Sequence, residues 1–259
     1  MENDKRRGET RMFFTGKSKT YYCRPKFHKN TYKILKKYGL NKTSVISELG
    51  AGTGRFTKEI AKHAGKIYAV EPNEEMFQKG KEICKKIKNI EYVYETAEST
   101  KLLEKSQDFV FAVQSFHYFN KPKLLTELNR ILKDDGQFAI IWNMSGTGNT
   151  DFDKVWSEVM EKYKIKTTGS GDNHNLSNER EIVFKNGKYD EVKLVGYDYM
   201  SFKRVLGYVN SISFCPKPSE EEYKNLLNQL SQGFNKCKKF GRVKLSTETT
   251  IQIGKINRG

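Results

Sequence analysis

Short β-rich segments alternate with amphipathic helical segments through the first half of the chain, and this alternation restricts the possible folds more than any other feature. Strands are predicted at residues 44–49, 66–70, 90–94, 109–113 and 138–142. Between them, apolar residues recur at helical spacing after Gly54, after Asn73 and after Pro122. Strands and helices that alternate in this way build a mostly parallel sheet with helices on both faces. The chain is therefore expected to adopt a doubly wound, Rossmann-like α/β fold.

The second half of the chain departs from this alternation. A helix is predicted over residues 152–163, a polar loop over 167–179 and a further helical segment near 220–230. Residues 192–199 and 243–253 alternate apolar and polar side chains, as half-buried strands do. We expect these two strands to complete a seven-stranded sheet with an antiparallel edge, and the helix and loop before them to form a cap.

Composition and charge exclude several classes of protein. The 259 residues include 47 Lys and Arg against 31 Asp and Glu, a net charge of +16, and the 36% of hydrophobic residues is enough for a packed core. The charged N-terminal residues lack the apolar stretch of a secretory signal, and no apolar run is long enough to span a bilayer. The four cysteines are not spaced as metal ligands. We expect a cytoplasmic protein with reduced thiols and no metal.

The turn after the first predicted strand is rich in glycine. It reads Glu48-Leu49-Gly50-Ala51-Gly52-Thr53-Gly54. A dinucleotide-binding turn would need its third glycine at the position of Arg55, and a P-loop would need Gly-Lys-Ser/Thr. Glycines in a strand-to-helix turn let a ligand lie against the backbone, and the following helix offers N–H groups to an anion such as a carboxylate. The turn is expected to bind a ligand that is neither a dinucleotide nor ATP.

Polar residues follow the next two predicted strands. Glu71 ends the second strand, where its two carboxylate oxygens could accept both hydroxyls of a ribose. After the third strand, Thr96 and Glu98 could meet the edge of an adenine, and the small Ala97 would leave room for it. Together with the glycine turn, these residues describe a site for a nucleoside that carries no pyrophosphate.

An aromatic turn follows the fourth predicted strand. It reads Gln114-Ser115-Phe116-His117-Tyr118-Phe119, and it should face the reacting group because the carboxyl ends of parallel strands meet at one edge. His117 has two interpretations: it packs against its aromatic neighbours, or it orients a substrate oxygen or accepts a proton from it. His117 is the candidate catalytic residue.

Four motifs in this order and spacing resemble those of the class I S-adenosylmethionine-dependent methyltransferases, in particular the small-molecule, methyltransferase type 11-like branch. They read ELGAGTG, EPNEEM, ETAEST and QSFHYF. Phe14, Tyr21, Arg24 and Pro25 are similar to a lid segment of the same family. Tyr118 stands where the family has tryptophan, which leaves the shape of the substrate site open. The resemblance is firm from about residue 14 to residue 142 and looser in the remaining chain to residue 253.

This resemblance implies an enzyme that transfers a methyl group from S-adenosylmethionine, releases S-adenosylhomocysteine and needs no metal. The implied cofactor-binding residues are Glu48, Gly50, Ala51, Gly52, Gly54, Glu71, Met76, Thr96, Ala97, Glu98 and Gln114. The implied acceptor and lid residues are Tyr21, Tyr22, Arg24, Phe116, Tyr118 and Trp142, beside His117. One domain is expected, with a lid over residues 1–40, a cofactor-binding core over 41–144, an acceptor-pocket insertion over 145–219 and a closing helix and strand over 220–259.

The basic charge keeps a second class of acceptor open. Lysines and arginines are concentrated near both ends of the chain and alternate there with tyrosine and phenylalanine, a pattern that suits phosphate contact and base stacking. The expected acceptor is a small molecule, with a carboxylate or hydroxyl oxygen as a candidate atom. A structured RNA is the alternative, and a cofactor-binding protein without transferase activity is a third hypothesis. No membrane partner is expected, and the chain is expected to be a monomer or a homodimer.

Overall fold

Seven strands form one sheet in the computed structural model of the chain, which describes residues 18–148, 150–165, 173–212, 215–216 and 218–258. The strands are β1 (Val45–Leu49), β2 (Lys66–Val70), β3 (Ile90–Val93), β4 (Gln107–Val113), β5 (Leu132–Ser145), β6 (Asp190–Met200) and β7 (Val243–Gly254). Their order is β3-β2-β1-β4-β5-β7-β6; neighbours are parallel from β3 to β5, and β7 is antiparallel to both β5 and β6. The predicted doubly wound α/β fold with an antiparallel edge is confirmed, and β7 lies inside that edge rather than at its outer side.

The helices are α1 (Thr31–Lys37), α2 (Arg55–Ile60), α3 (Glu74–Cys84), α4 (Lys121–Ile131), α5 (Asp151–Lys162), α6 (Asn173–Val183), α7 (Phe202–Asn210) and α8 (Glu221–Cys237). Side-chain caps determine where several of them begin. The Asn73 side chain accepts a hydrogen bond of 2.9 Å from the Met76 N–H at the start of α3. A capping box between Thr150 and Asp153 starts α5. These caps explain why the helices begin directly after the polar turns that follow the strands.

Three helices correct the sequence analysis. Residues 173–179, predicted as part of a loop, are helical in α6, while residues 166–172 lie outside the described residues, as does Phe14 of the expected lid. Helix α6 packs on α4, where Glu179 pairs with the buried Lys121 at 2.9 Å. Helices α1 and α7 were not predicted at all. The helix expected after Asn73 is present as α3 and ends at Cys84.

Apolar side chains are buried on both faces of the sheet. One face packs against α4 through Leu124 and Leu128, and the opposite face packs against α1 and α2 through Leu35 and Phe56. A third cluster, which includes Trp156, joins α5, α7 and α8 to the beginning of β7 and forms a cap. Within the described part of the chain, no helix combines the length and the apolar character that crossing a bilayer requires.

Candidate functional site

A cavity of about 470 Å³ opens at the carboxyl edge of the parallel strands. Leu49 is in register with Val70 of β2 and with Ala112 of β4, so the turns that follow these three strands begin side by side. The cavity is bounded by these turns, by residues 21–27 and by α7. Doubly wound sheets bind ligands at this edge, near the point where the strand order reverses, which here lies between β1 and β4. Small-molecule sites commonly measure about 300–1,000 Å³.

Close packing and backbone conformation explain the glycines of the turn after β1. A Cβ at Gly50 would lie 2.7 Å from the Ser115 Cβ, and a Cβ at Gly54 would lie 2.3 Å from the Tyr92 hydroxyl oxygen. Gly50, Gly52 and Gly54 have φ values of 71°, 57° and 77°, which favour glycine. Gly50, Ala51 and Gly52 line the cavity, whereas Gly54, also expected to contact the ligand, does not line it and lies close to Tyr92 and Cys84.

Glu71 links the end of β2 to the glycine turn. Its Oε2 accepts a hydrogen bond of 2.8 Å from the Gly52 N–H, and its Oε1 accepts one of 2.8 Å from the Asn73 N–H. Burial raises the pKa of Glu71 to about 7, and the two N–H donors oppose this shift. Each carboxylate oxygen keeps a further lone pair for a ligand hydroxyl. The residue predicted to hold a ribose therefore lines the cavity in a position fixed by the backbone.

Glu48 is the most buried carboxylate of the site, with 2% of its surface exposed. The Thr57 hydroxyl donates a hydrogen bond to its Oε2. Burial raises the pKa of Glu48 to about 8, and the nearby charges of Glu71 and Glu59 add to this effect. Glu48 therefore carries a proton at neutral pH until a cation comes close, which suits a group expected to bind an ammonium.

The residues predicted around an adenine are brought together beside Glu71. Met76, Thr96, Ala97 and Glu98 all line the cavity, and Met76 and Ala97 are almost fully buried. The Glu98 Oε1 accepts a hydrogen bond of 2.9 Å from the Asn120 N–H, which ties the loop after β3 to the start of α4. This end of the cavity combines an apolar floor with polar groups at its rim.

Gln114 and His117 line the cavity, and each has a buried polar atom that lacks a hydrogen-bond partner from any described residue. The Gln114 Nε2 donates to the Asn143 carbonyl oxygen at 2.6 Å, and its buried Oε1 has no partner among the described residues. The Nδ1 of His117 is likewise buried without a partner in the described part of the chain. Burial lowers the pKa of His117 to about 4, and the charges of Lys121 and Arg24 lower it further. The imidazole is therefore neutral at neutral pH.

The other predicted acceptor and lid residues divide into two groups. Tyr21, Arg24 and Tyr118 line the cavity. Three others do not line it: Tyr22 points to solvent with 66% of its surface exposed, and Phe116 and Trp142 are buried in the core. The Trp142 ring lies 5.6 Å from the imidazole of His117, centroid to centroid, with the two ring planes tilted by 32°. Phe116 and Trp142 were expected to contact the acceptor, but their apolar rings pack in the core and do not line the cavity.

Residues that the sequence analysis did not single out hold the lid segment in place. The Arg55 Nη2 donates to the carbonyl oxygens of Arg24 (2.9 Å) and Pro25 (2.8 Å). The Asn143 Nδ2 donates to the same Pro25 oxygen at 3.0 Å. Arg55 is the first residue of α2, where the helix dipole disfavours a cation, and this placement could have identified it. Nothing local distinguishes Asn143. Among the described residues, no three His, Cys, Asp or Glu side chains are grouped as a metal site would require.

Comparisons with known proteins agree with this fold and this arrangement. Residues 47–140 match a family model described as a methyltransferase domain. An uncharacterised methyltransferase-like protein of Schizosaccharomyces pombe is 26% identical over 223 residues, which cover 83% of this chain and 84% of the relative. An uncharacterised methyltransferase of the same organism is 28% identical over 200 residues, 74% of this chain and 76% of the relative. A candidate type II methyltransferase from Anaeromyxobacter dehalogenans has a similar structure, with a TM-score of 0.68 and 16% identity over 90% of this chain and 97% of that one.

Proposed function

Because this chain is a methyltransferase with the class I fold, we propose that it transfers a methyl group from S-adenosylmethionine to an oxygen of a small-molecule acceptor. One observation carries the proposal: the glycine turn, Glu71 and the region of Gln114 and His117 face one cavity. The glycine turn and Glu71 suit an adenosyl group with an amino-acid end. Gln114 and His117 would then lie beside the acceptor and the transferred methyl group.

The polar and apolar groups of the cavity fit the cofactor from end to end. Glu48 would pair with its ammonium, and the backbone of Gly50, Ala51 and Gly52 would lie along its methionyl part. A Cβ at Gly52 would meet no protein atom within 4 Å, so this glycine leaves space on the ligand side. Glu71 would accept hydrogen bonds from the ribose hydroxyls.

The adenine end has its own set of candidate contacts. Met76 and Ala97 offer apolar surface to the faces of the base, and both line the cavity. Thr96 and Glu98 stand at the rim, where their oxygens can meet the polar edge of the base. These four residues explain why a nucleoside, rather than an amino acid alone, is the proposed ligand.

Methyl transfer from a sulfonium places few demands on the protein. S-adenosylmethionine supplies a methyl group that is already activated, so the chain mainly has to align the acceptor. His117, with its pKa near 4, is a weak base at neutral pH and is better suited to hold an acceptor oxygen than to remove a proton. Gln114 lines the same part of the cavity, where its Nε2 is anchored on the Asn143 carbonyl oxygen. An oxygen that is already ionised, as in a carboxylate, would need no base at all.

Cofactor binding and methyl transfer test the proposal separately. Calorimetric titration with S-adenosylhomocysteine should show binding to the wild type and binding weakened by about tenfold or more in Glu71→Ala, through loss of charged hydrogen bonds. Glu91→Ala, which removes an exposed carboxylate on β3, is the matched control. Incubation with labelled S-adenosylmethionine, a metabolite extract and total RNA in parallel should label the small-molecule fraction. Absence of binding heat contradicts the proposal, and binding without transfer to either fraction favours a non-enzymatic role.

A structured RNA is the second candidate acceptor, because aromatic residues and a cation are exposed together on the two antiparallel strands β6 and β7 at the edge of the sheet. Tyr197 and Tyr199 of β6 are 54% and 56% exposed, and the Lys244 Nζ lies 3.7 Å from the centroid of the Tyr197 ring. Such surfaces stack bases and contact phosphates. Binding of tRNA, measured as a shift in electrophoretic mobility, would support this acceptor if it weakens steeply with salt and is weaker in Tyr197→Ala. No binding at low salt would exclude it.

A cytoplasmic location is part of the same proposal. The four cysteines are free thiols, and Cys23 and Cys84 among them are buried. Free thiols are typical of proteins from reducing compartments. Fractionation of cells of the source organism, with an antibody to the chain, tests the location.

A further inference from the structure

Three arginines meet at the acceptor side of the cavity. Arg24 lines the cavity, and its carbonyl oxygen accepts hydrogen bonds from Arg55 (2.9 Å) and from Arg204 (3.1 Å). The Arg204 guanidinium is neutralised by Asp198 at 2.6 Å. Neither Arg24 nor Arg55 forms a salt bridge with any carboxylate that the structure describes. The carboxylate of Glu59 acts on Arg55 through space, so Arg24 is the cavity-lining arginine of this group whose charge no described carboxylate neutralises.

Uncharged groups hold the Arg24 guanidinium in place. Its Nε donates to the Ser211 Oγ at 3.0 Å, and its Nη2 donates to the Ser211 carbonyl oxygen at 2.8 Å. Ser211 is fully buried, and its hydroxyl in turn donates to the Tyr208 carbonyl oxygen at 2.7 Å. The Tyr21 ring stacks on the guanidinium, 4.2 Å from ring centroid to Cζ. An arginine fixed in this way loses little further freedom when it binds a ligand.

The charge of Arg24 acts on the acceptor side of the cavity rather than on the predicted cofactor side. Burial lowers the pKa of His117, and Lys121 and Arg24 lower it further. Burial raises the pKa of Tyr208, and Arg24 opposes that shift. By contrast, the charges that act on Glu48 are those of Glu71 and Glu59. Arg24 therefore lies close enough to act on His117 and Tyr208, which both line the cavity.

We infer that Arg24 binds a carboxylate of the methyl acceptor, so that the acceptor is an anionic small molecule; this inference rests on the proposed function. A cation in a partly desolvated cavity favours an anionic partner. The planar fork of a guanidinium matches the two oxygens of a carboxylate. Arg24 is then the specificity-determining residue of the acceptor site, and acids are bound in preference to their neutral amides.

The cofactor also carries a carboxylate, and calorimetry on the full chain distinguishes the two sources. S-adenosylhomocysteine has this carboxylate, whereas 5′-methylthioadenosine lacks it. Arg24→Met is expected to bind both compounds within about threefold of the wild-type affinity, a difference below 1 kcal/mol. Arg242→Met, which removes an exposed arginine of the turn before β7, is the matched control. Weaker binding of S-adenosylhomocysteine alone by Arg24→Met would assign the arginine to the cofactor and overturn the inference.

Titration of the protein saturated with S-adenosylhomocysteine tests the acceptor site itself. Citrate, succinate and benzoate are compared with their neutral amides. At least one acid should bind the wild type and Arg242→Met, its binding should weaken by about tenfold or more in Arg24→Met, and the amides should not bind. Arg24→Lys should recover part of the affinity because it keeps the charge but not the fork.

Three results of this titration would overturn the inference: no acid binds the wild type, an amide binds as tightly as its acid, or Arg24→Met binds the acid normally. A wild type that fails to bind S-adenosylhomocysteine would instead contradict the proposed function. The two failures are therefore distinguishable in one series of measurements.

Discussion

Glu48 and Glu71 are buried carboxylic acids in a cavity that, in the proposed function, receives a cationic ammonium. Burial raises their pKa values to about 8 and about 7. A cation beside Glu48 lowers its pKa, so binding near pH 7 should release a proton. The affinity for S-adenosylhomocysteine is expected to rise with pH between about 6 and 8, and Glu48→Gln should remove most of this rise. Calorimetry in two buffers with different ionisation enthalpies measures the released proton, and a pH-independent affinity would contradict the prediction.

The same two residues should make the ligand-free protein less stable as the pH rises. Their ordinary pKa is 4.5, which applies to the unfolded chain, whereas the folded chain keeps the protons up to pH 7 to 8. Between these values the folded state binds more protons, so the free energy of unfolding falls with increasing pH. Glu48→Gln should reduce this pH-dependent decrease in the free energy of unfolding by a few kcal/mol at most (~1.4 kcal/mol per pKa unit). Urea unfolding at pH 5 and pH 8.5 tests this; equal losses in both proteins would disprove it.

The sequence leaves two roles open for His117, which are packing against its aromatic neighbours and catalysis. If it holds the acceptor, His117→Asn should lower kcat/KM for the acceptor found in the labelling assay by about tenfold or more, while the affinity for S-adenosylhomocysteine stays unchanged. Because its pKa is near 4, it should add no inflection to the rate between pH 6 and pH 8. His63→Asn, at a ring stacked on Tyr32, is the control. A change of less than about threefold would assign His117 to packing.

At the scale of elements, two glycines of the turn from β1 to α2 are expected to have different roles. Gly54 should be required for stability, and Gly52 should be required for ligand binding. A Cβ at Gly54 would overlap Tyr92 and Cys84, so Gly54→Ala should lower the free energy of unfolding by more than about 2 kcal/mol. Gly52→Ala meets open space and should cost about 1 kcal/mol for its positive φ, yet it should abolish binding of S-adenosylhomocysteine. Gly241→Ala has a similar φ, open space and no cavity contact, and is the control. Urea unfolding and calorimetry measure both effects, and equal stability of the Gly54 and Gly241 variants would contradict the overlap.

Local periodicity explains which elements could be predicted. The strands β2 and β4 and the helix α5 carry their pattern within a few residues, and their predicted positions agree with the structure. Helix α7 was missed although it has a readable pattern, with Phe202, Val205 and Val209 at helical spacing. Helix α6 has a polar sequence and depends on tertiary contacts, such as the ion pair from Glu179 to α4. Such contacts are not visible in a local pattern.

In the candidate site, too, some residues could be located from the sequence and others depend on tertiary contacts. Residues that follow strand ends, such as Glu71 and Gln114, could be located because topology alone brings strand ends to one edge. The contact between Arg24 and Ser211 joins residues 187 positions apart, and no spacing rule predicts it. The sequence therefore locates the proposed cofactor half of the cavity, whereas the proposed acceptor half depends on how the cap packs.

At the scale of the whole molecule, the last strand of the chain connects the sheet to the cap. Strand β7 lies between β5 and β6, so removal of it would leave β6 without a neighbour. Its first residues, Val243 and Leu245, belong to the cap cluster, and Ile251 and Ile253 belong to the cluster that packs on α1 and α2. The cap that carries the acceptor side therefore cannot separate from the sheet without disrupting both clusters.

This arrangement predicts that cap and sheet unfold together, and the two tryptophans report on them separately. Trp142 belongs to the cluster against α4, and Trp156 belongs to the cap. In Trp156→Phe and Trp142→Phe, each with one remaining tryptophan, urea transitions followed by fluorescence should coincide with those followed by far-ultraviolet circular dichroism, as two-state unfolding requires. The comparison is made within each variant, because either substitution also lowers stability by leaving space in a core. A Trp156 transition that precedes loss of the sheet would show that the cap unfolds alone, and would mean that the acceptor site can open independently of the cofactor site.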